Sequence, residues 1–295
     1  MSPFVDQPRR IAYLGSPDLA VPPLEALVDA GYEVPLVVSR PDRRRGRGGQ
    51  LSPSPVRAAA LRLGLPTSDR VDDLLDCGAE LGVVVAFGRL IKPHVLERVP
   101  LVNLHFSLLP RWRGAAPVER AILAGDERTG VCLMEVAEEL DTGGVFRRAE
   151  VEIGPEETLD ELRARLVDLG TELLLRALAE GLGEPEPQVG EPTYAAKLEP
   201  EELHLDWSSP AVHLGRVVRL GRAWTTAAGR RLIVWRARPH EEDVDGPPGT
   251  LRGTSVATGR GSLELLEVQP EGRGRQQAEA WRRGARLADG ERLGE

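Results

Sequence analysis

Apolar and polar positions alternate between two regimes along the first two thirds of the chain. Residues 11–15 form a short apolar run ending at glycine, and Leu19, Leu24, Leu27 and Val28 follow at helical spacing up to Gly31. Residues 34–38 are a second β-rich run. The stretch 40–55 is irregular and rich in arginine, glycine and proline, and 56–63 reads as a helix closed by Gly64. Residues 81–87 are continuously apolar, the pattern of a strand buried on both faces. Runs at 101–106, 131–136 and 145–153 read as strands, 117–124 as a helix with proline in its first turn, and 159–182 as a long amphipathic helix. Strands alternating with helices predict an α/β fold with an open, mostly parallel sheet covered on both faces.

The pattern breaks at 183–210. Pro185, Pro187, Pro192, Pro200 and Pro210, with dense glutamates, predict an extended linker. Short β-like pieces at 231–236, 250–251, 255–258 and 263–268 then predict a small OB-like β-barrel. The expected organisation is an α/β domain at 1–182, a linker at 183–210 and a barrel domain at 211–295.

A length of 295 residues suits about two domains. No apolar run approaches the ~20 residues that span a bilayer. The polar N-terminus leads straight into the first strand, and two cysteines make no disulfide framework. These features predict a cytoplasmic protein with no membrane segment. The net charge of −8 is uneven: residues 207–295 hold 15 basic and 11 acidic residues, +4, which leaves −12 for 1–206. A basic tail on an acidic body suits a polyanionic partner. Of the 38 basic residues 36 are arginine, a bias that genome composition explains as well as selection for guanidinium chemistry does.

Motifs narrow the chemistry. Gly15-Ser16-Pro17-Asp18 is not GxGxxG, and Gly46-Arg47-Gly48-Gly49 lacks the GK[ST] of a P-loop, so no nucleotide cofactor is expected. There is no CxxC, HExxH or GxSxG, and no metal site is expected. His105 stands apart from the other four histidines because Asn103 precedes it by two. In a strand both point to one face, and both can donate N–H to a single oxygen. The pair also ends a strand of an open sheet, where such folds place ligands, so it is either a donor pair for one ligand oxygen or a polar pair satisfied by loop backbone. Asp141, in Leu140-Asp141-Thr142-Gly143, is either a turn former capping its own backbone or the partner that orients His105. An Asn–His–Asp group without a nucleophile suggests acyl transfer in which the substrate's own nucleophile attacks and the enzyme stabilises the oxyanion.

Asn103-x-His105 followed by Ser107-Leu108-Leu109-Pro110, then Arg113-Gly114-x-x-Pro117 and Leu140-Asp141-Thr142-Gly143, resembles the formyltransferases that use 10-formyltetrahydrofolate. Within them, the tract from Pro41-Asp42-Arg43 to Pro53-Ser54-Pro55-Val56 resembles the branch that acts on methionyl initiator tRNA. The resemblance covers nearly the whole chain. It implies a Rossmann-like formyltransferase domain with Asn103, His105 and Asp141 as the catalytic triplet. It implies folate contacts at Ser107, Leu108, Leu109 and Pro110, and at Arg89 and Leu90 in the pterin-receiving loop. It further implies that Arg43, Arg44, Arg45 and Arg47 meet the tRNA acceptor end and that the tail barrel holds the tRNA. The implied partners are the folate co-substrate and methionyl initiator tRNA, with no DNA and no membrane, and the implied protein is a monomer. A folate-dependent formyltransferase of amino sugars, a formyltetrahydrofolate hydrolase and a silent tRNA-binding paralogue are the alternatives. The sequence departs from the family pattern at Phe106, where a small residue is usual, and at Gly144, where a second acid is common.

Overall fold

The computed structural model describes residues 4–5, 7–45 and 50–295. In chain order its strands are β1 (Ile11–Gly15), β2 (Val37–Val38), β3 (Arg43–Arg45), β4 (Gln50–Ser52), β5 (Thr67–Ser68), β6 (Leu81–Val85), β7 (Leu101–His105), β8 (Arg113–Gly114), β9 (Arg128–Glu135), β10 (Val145–Glu152) and β11 (Tyr194–Ala195). The tail adds β12 (Ala223–Ala227), β13 (Arg230–His240), β14 (Leu251–Arg252), β15 (Ser255–Ala257), β16 (Ser262–Pro270) and β17 (Gln276–Gln277). The helices are α1 (Val21–Asp29), α2 (Pro55–Arg62), α3 (Pro93–Leu96), α4 (Pro117–Ala124), α5 (Leu159–Glu180), α6 (Ala211–Arg219) and α7 (Ala278–Ala285). The chain divides into two compact units. One comprises 1–118, 128–152 and 163–196; the other comprises 119–127, 153–162 and 197–295.

The first unit is built on a seven-stranded sheet in the order β10-β9-β7-β6-β1-β2-β5. β5, β2, β1, β6 and β7 are parallel, and β9 and β10 continue the sheet through antiparallel pairings. All five residues of β1 and of β6 are buried, as expected of central strands with both faces covered. Helix α2 begins where Ser54 accepts the Arg57 backbone N–H at 3.1 Å and Pro55 takes the first position, a strong N-terminal signal. The carboxyl ends of the parallel strands share one edge. There the Ser39 and Ser54 hydroxyls lie 2.5 Å apart, and the Arg40 guanidinium donates to the Gly88 carbonyl.

Within 40–55, irregular by sequence, residues 43–45 and 50–52 pair as the antiparallel strands β3 and β4, with Arg43 opposite Ser52 and Arg45 opposite Gln50. A two-stranded ribbon needs no apolar face, so no periodicity announces it. Residues 183–196 are also more than a linker. Glu186 bridges to Val145, and β11 pairs in parallel with β8.

The second unit holds an antiparallel sheet in the order β12-β13-β16-β15-β14, with β17 on β16. Helices α6 and α7 and strand β12 are not legible as elements in the sequence. Their apolar faces join one core with Leu205, Trp207, Leu232, Val234, Leu251, Leu263, Leu265 and Trp281.

Leu14, at the centre of the parallel sheet, is fully buried. Leu14→Ala is expected to lower unfolding free energy by about 2–5 kcal/mol, read as a lower urea midpoint at an unchanged slope.

Candidate active site

β7 ends at His105, and the alternation of the strand puts Asn103 and His105 on one face. Their partners across the ladder are Met134 and Cys132 on β9. The His105 ring is buried, at 5 % exposure. Its Nε2 lies 2.8 Å from the Trp112 carbonyl oxygen. A carbonyl only accepts, so Nε2 carries a hydrogen and donates it there. Its Nδ1 faces Asp141 Oδ2 at 3.5 Å, longer than a hydrogen bond. The tautomer is therefore set by Trp112, which sequence reasoning misses, and Asp141 stands against the opposite nitrogen.

Asp141 is fixed from two sides. Its Oδ2 accepts the Gly114 backbone N–H at 2.8 Å. Its own backbone adopts φ 53°, a left-handed conformation that costs a non-glycine residue roughly 1–2 kcal/mol, least for Asp and Asn. The Gln188 amide offsets this by donating to the Asp141 and Gly143 carbonyls at 2.8 and 2.9 Å. The loop that carries Trp112 is held in the same way. The Thr193 hydroxyl accepts the Trp112 N–H at 2.9 Å, and the Thr193 carbonyl accepts that of Arg113 at 2.8 Å. Gly114 has φ 123°, and a Cβ there would stand 2.8 Å from the Ala195 carbonyl oxygen.

The other sequence-marked residues divide. Ser107 is fully buried and spends its hydroxyl on the Arg111 carbonyl at 2.6 Å. Leu109 is buried in a small cluster with Cys132, Met134 and Val145. Leu108 and Pro110 keep partial exposure. Of the 107–110 segment, then, only Leu108 and Pro110 present side-chain surface. Arg89 donates to the Asp69 carbonyl and lies over the Phe87 ring at 5.6 Å, while Leu90 is 79 % exposed. Arg43 and Arg44 are exposed, and Arg45 lies on the same strand, β3. Arg43 and Arg40 line a cavity of 210 Å³ with Ser16, Ser52 and Ser54. Arg47 lies outside the described residues.

The two departures from the family pattern both sit against neighbouring segments. The Phe106 ring sits against α5 at Gly170, 3.7 Å from where a Cβ there would be. At Gly144 a Cβ would meet Pro185 at 2.8 Å and the Glu186 carbonyl at 3.3 Å, so the segment crossing it leaves no room for a second acid.

Cys132 is the thiol that faces the histidine in register, and burial pushes its pKa up. A protonated, buried thiol is no nucleophile. Among the described residues no group of three or more His, Cys, Asp or Glu is arranged to hold a metal, and no helix is long and apolar enough to cross a membrane. The Asn–His–Asp group is of a chemistry suited to stabilising an oxyanion and moving a proton. Cys132→Ala is expected to keep turnover within about threefold, and iodoacetamide is expected to leave Cys132 unlabelled until the protein unfolds. A large loss of turnover or rapid native labelling would assign the thiol a chemical role.

Comparison with known proteins shows the family. Residues 9–178 match the formyl transferase family model, and 197–286 match the formyl transferase C-terminal domain. The methionyl-tRNA formyltransferase of Symbiobacterium thermophilum is 42 % identical, covering 96 % of this chain and 95 % of its own. That of Jannaschia sp. is 43 % identical, covering 95 % and 98 %. A Helicobacter canadensis N-formyltransferase, solved with folinic acid and dTDP-3-aminofucose, has a TM-score of 0.66 at 15 % identity over 86 % of this chain and 98 % of that one. It shares the fold. The chain belongs to the formyl transferase family, with the methionyl-tRNA formyltransferases.

Proposed function

We propose that this chain moves a formyl group from 10-formyltetrahydrofolate to the α-amino group of methionyl initiator tRNA, with Asn103, His105 and Asp141 as its catalytic group. One observation carries the reading: a buried imidazole with Nε2–H committed to a backbone carbonyl and Nδ1 turned to a carboxylate. All proton traffic at the ring is thereby confined to the Nδ1 side.

The neutral amine attacks the formyl carbon. The carbonyl oxygen gains charge as the new C–N bond forms, and it accepts hydrogen bonds from the Asn103 amide and from Nδ1–H of protonated His105. Asp141 supports the protonated ring and, through a water, relays the surplus amine proton. The C–N10 bond then breaks, N10 takes a proton, and tetrahydrofolate leaves. Folate as formyl carrier is supported by the site chemistry and by the folinic acid named for the related N-formyltransferase.

The tRNA acceptor is supported by the full-length likeness to methionyl-tRNA formyltransferases and by the distribution of arginine. In the second unit Arg230, Arg231, Arg273 and Arg275 line a cleft of 760 Å³. Arg231 and Arg275 lie over Trp224 and Trp235, at 4.5 and 3.4 Å from the ring centroids. Guanidinium groups held on rings suit a phosphate backbone. Arg43 and Arg44, exposed beside the carboxyl edge of the first sheet, with Arg45 and Arg47, are the residues proposed to meet the acceptor end. An amino-sugar acceptor or formyltetrahydrofolate hydrolysis would leave both arginine sets without a task.

Formyl transfer to charged initiator tRNA, run beside free methionine and amino sugars, tests the reading. Only the tRNA is expected to be formylated at speed, and preference for another acceptor overturns it. Asn103→Ala and His105→Ala are each expected to lower turnover about 100–1000-fold, the ~2.7–4 kcal/mol typical of one oxyanion donor. Replacing Arg43, Arg44, Arg45 and Arg47 by alanine is expected to weaken tRNA use and flatten its salt dependence, by roughly 0.7–0.9 in slope for each phosphate no longer neutralised. Equal slopes would remove this loop from the tRNA interface.

A further inference from the structure

Residues 185–195 cross the catalytic end of the first unit as an ordered strap. Glu186 exchanges backbone hydrogen bonds with Val145 at 2.8 and 3.0 Å. Gly190 approaches Pro110, Thr193 holds Trp112, and Tyr194–Ala195 pair with Arg113–Gly114. Gln188 sits between these attachments, and its side chain uses its full capacity. Its Oε1 accepts from both Nε and Nη2 of Arg113, at 3.1 and 2.7 Å. Its Nε2 donates to the carbonyls of Asp141 and Gly143 at 2.8 and 2.9 Å. The amide orientation is unambiguous, since a flip would set N–H against guanidinium and oxygen against two carbonyls.

Gln188 therefore joins the two loops that bracket His105. One loop supplies the Trp112 carbonyl and the Gly114 N–H; the other supplies the Asp141 carboxylate. We infer that Gln188 is a positioning residue for the transfer reaction, setting the distance from Asp141 to Nδ1 of His105 by tying the Asp141 turn to Arg113. The inference rests on the catalytic reading of Asp141 proposed above. With the Gln188 amide saturated by protein partners, its mark is a loss confined to turnover and expressed through Asp141.

The experiment uses the full chain with methionyl initiator tRNA and 10-formyltetrahydrofolate. Gln188→Ala is expected to lower kcat about 10–100-fold, the scale seen when a group that orients a metal ligand is removed, with KM for the folate within about twofold of wild type. Gln188→Glu keeps the size and the Arg113 partner but cannot donate to the two carbonyls. It is expected to lose as much, and it covers the case in which the alanine variant folds poorly. On an Asp141→Asn background either change is expected to cost less than about twofold more, because a residue acting through Asp141 has nothing left to position. A purely structural tether would multiply its full loss on both backgrounds, or raise KM instead of lowering kcat, and either result overturns the inference alone. Wild-type turnover in the Gln188→Glu variant also overturns it, since the donation to the Asp141 turn would then be dispensable. Asp141→Asn with wild-type turnover overturns the catalytic reading and the inference with it.

Discussion

A backbone carbonyl pins the ring of His105, and several contacts at the carboxyl end of the first unit's sheet hold that carbonyl in place. β7 stops at His105, so the ring stands at the last paired position of the strand. Trp112, seven residues on, must return to it. The return requires φ 63° at Trp112, a conformation a bulky residue holds only when its surroundings insist. They insist through Thr193 and Ala195, which take the backbone N–H groups of residues 112, 113, 115 and 116. A side chain at the end of a sheet strand thus acquires a fixed tautomer through a loop whose shape is set 81 residues later.

That tautomer decides where the chemistry lies. With Nε2–H spent on a carbonyl, only Nδ1 can exchange a proton, and Asp141 faces it in a site with 5 % and 12 % side-chain exposure. Charge is costly there unless paired, and the Gly114 N–H that Asp141 accepts offsets part of that cost.

The sheet is legible in the sequence because its strands obey local rules. Continuous burial marks 81–85, and period-two alternation puts Asn103 beside His105. Asp141 is legible as a candidate by its Thr-Gly-Gly neighbourhood, which by itself does not tell a residue that turns the chain from one that faces the ring. It does both: a left-handed turn residue whose carboxylate stands against Nδ1. Gln188 and the Trp112 carbonyl are not legible. A carbonyl has no sequence signature, and the partners of Gln188 lie 45, 47 and 75 residues away. The prolines that make 183–210 read as a linker predict its extended backbone correctly. They cannot tell that an extended backbone here serves as a tie. Helix α6 is masked by Pro210, which reads as a break and in fact occupies the position just before the helix.

The two family matches end at 178 and resume at 197, so the strap belongs to neither. Every member of the proposed catalytic group lies within the first match. The bonds that orient them, from Gln188, Thr193 and Ala195, do not. A chain ending at 178 would keep Asn103, His105 and Asp141 and the parallel sheet, yet Trp112 would lose the partner of its N–H and Asp141 the amide that steadies its turn. Connecting segments tolerate change when they only connect. This one falls within the first compact unit and supplies the bonds that fix the loops facing His105, although it lies outside both family matches.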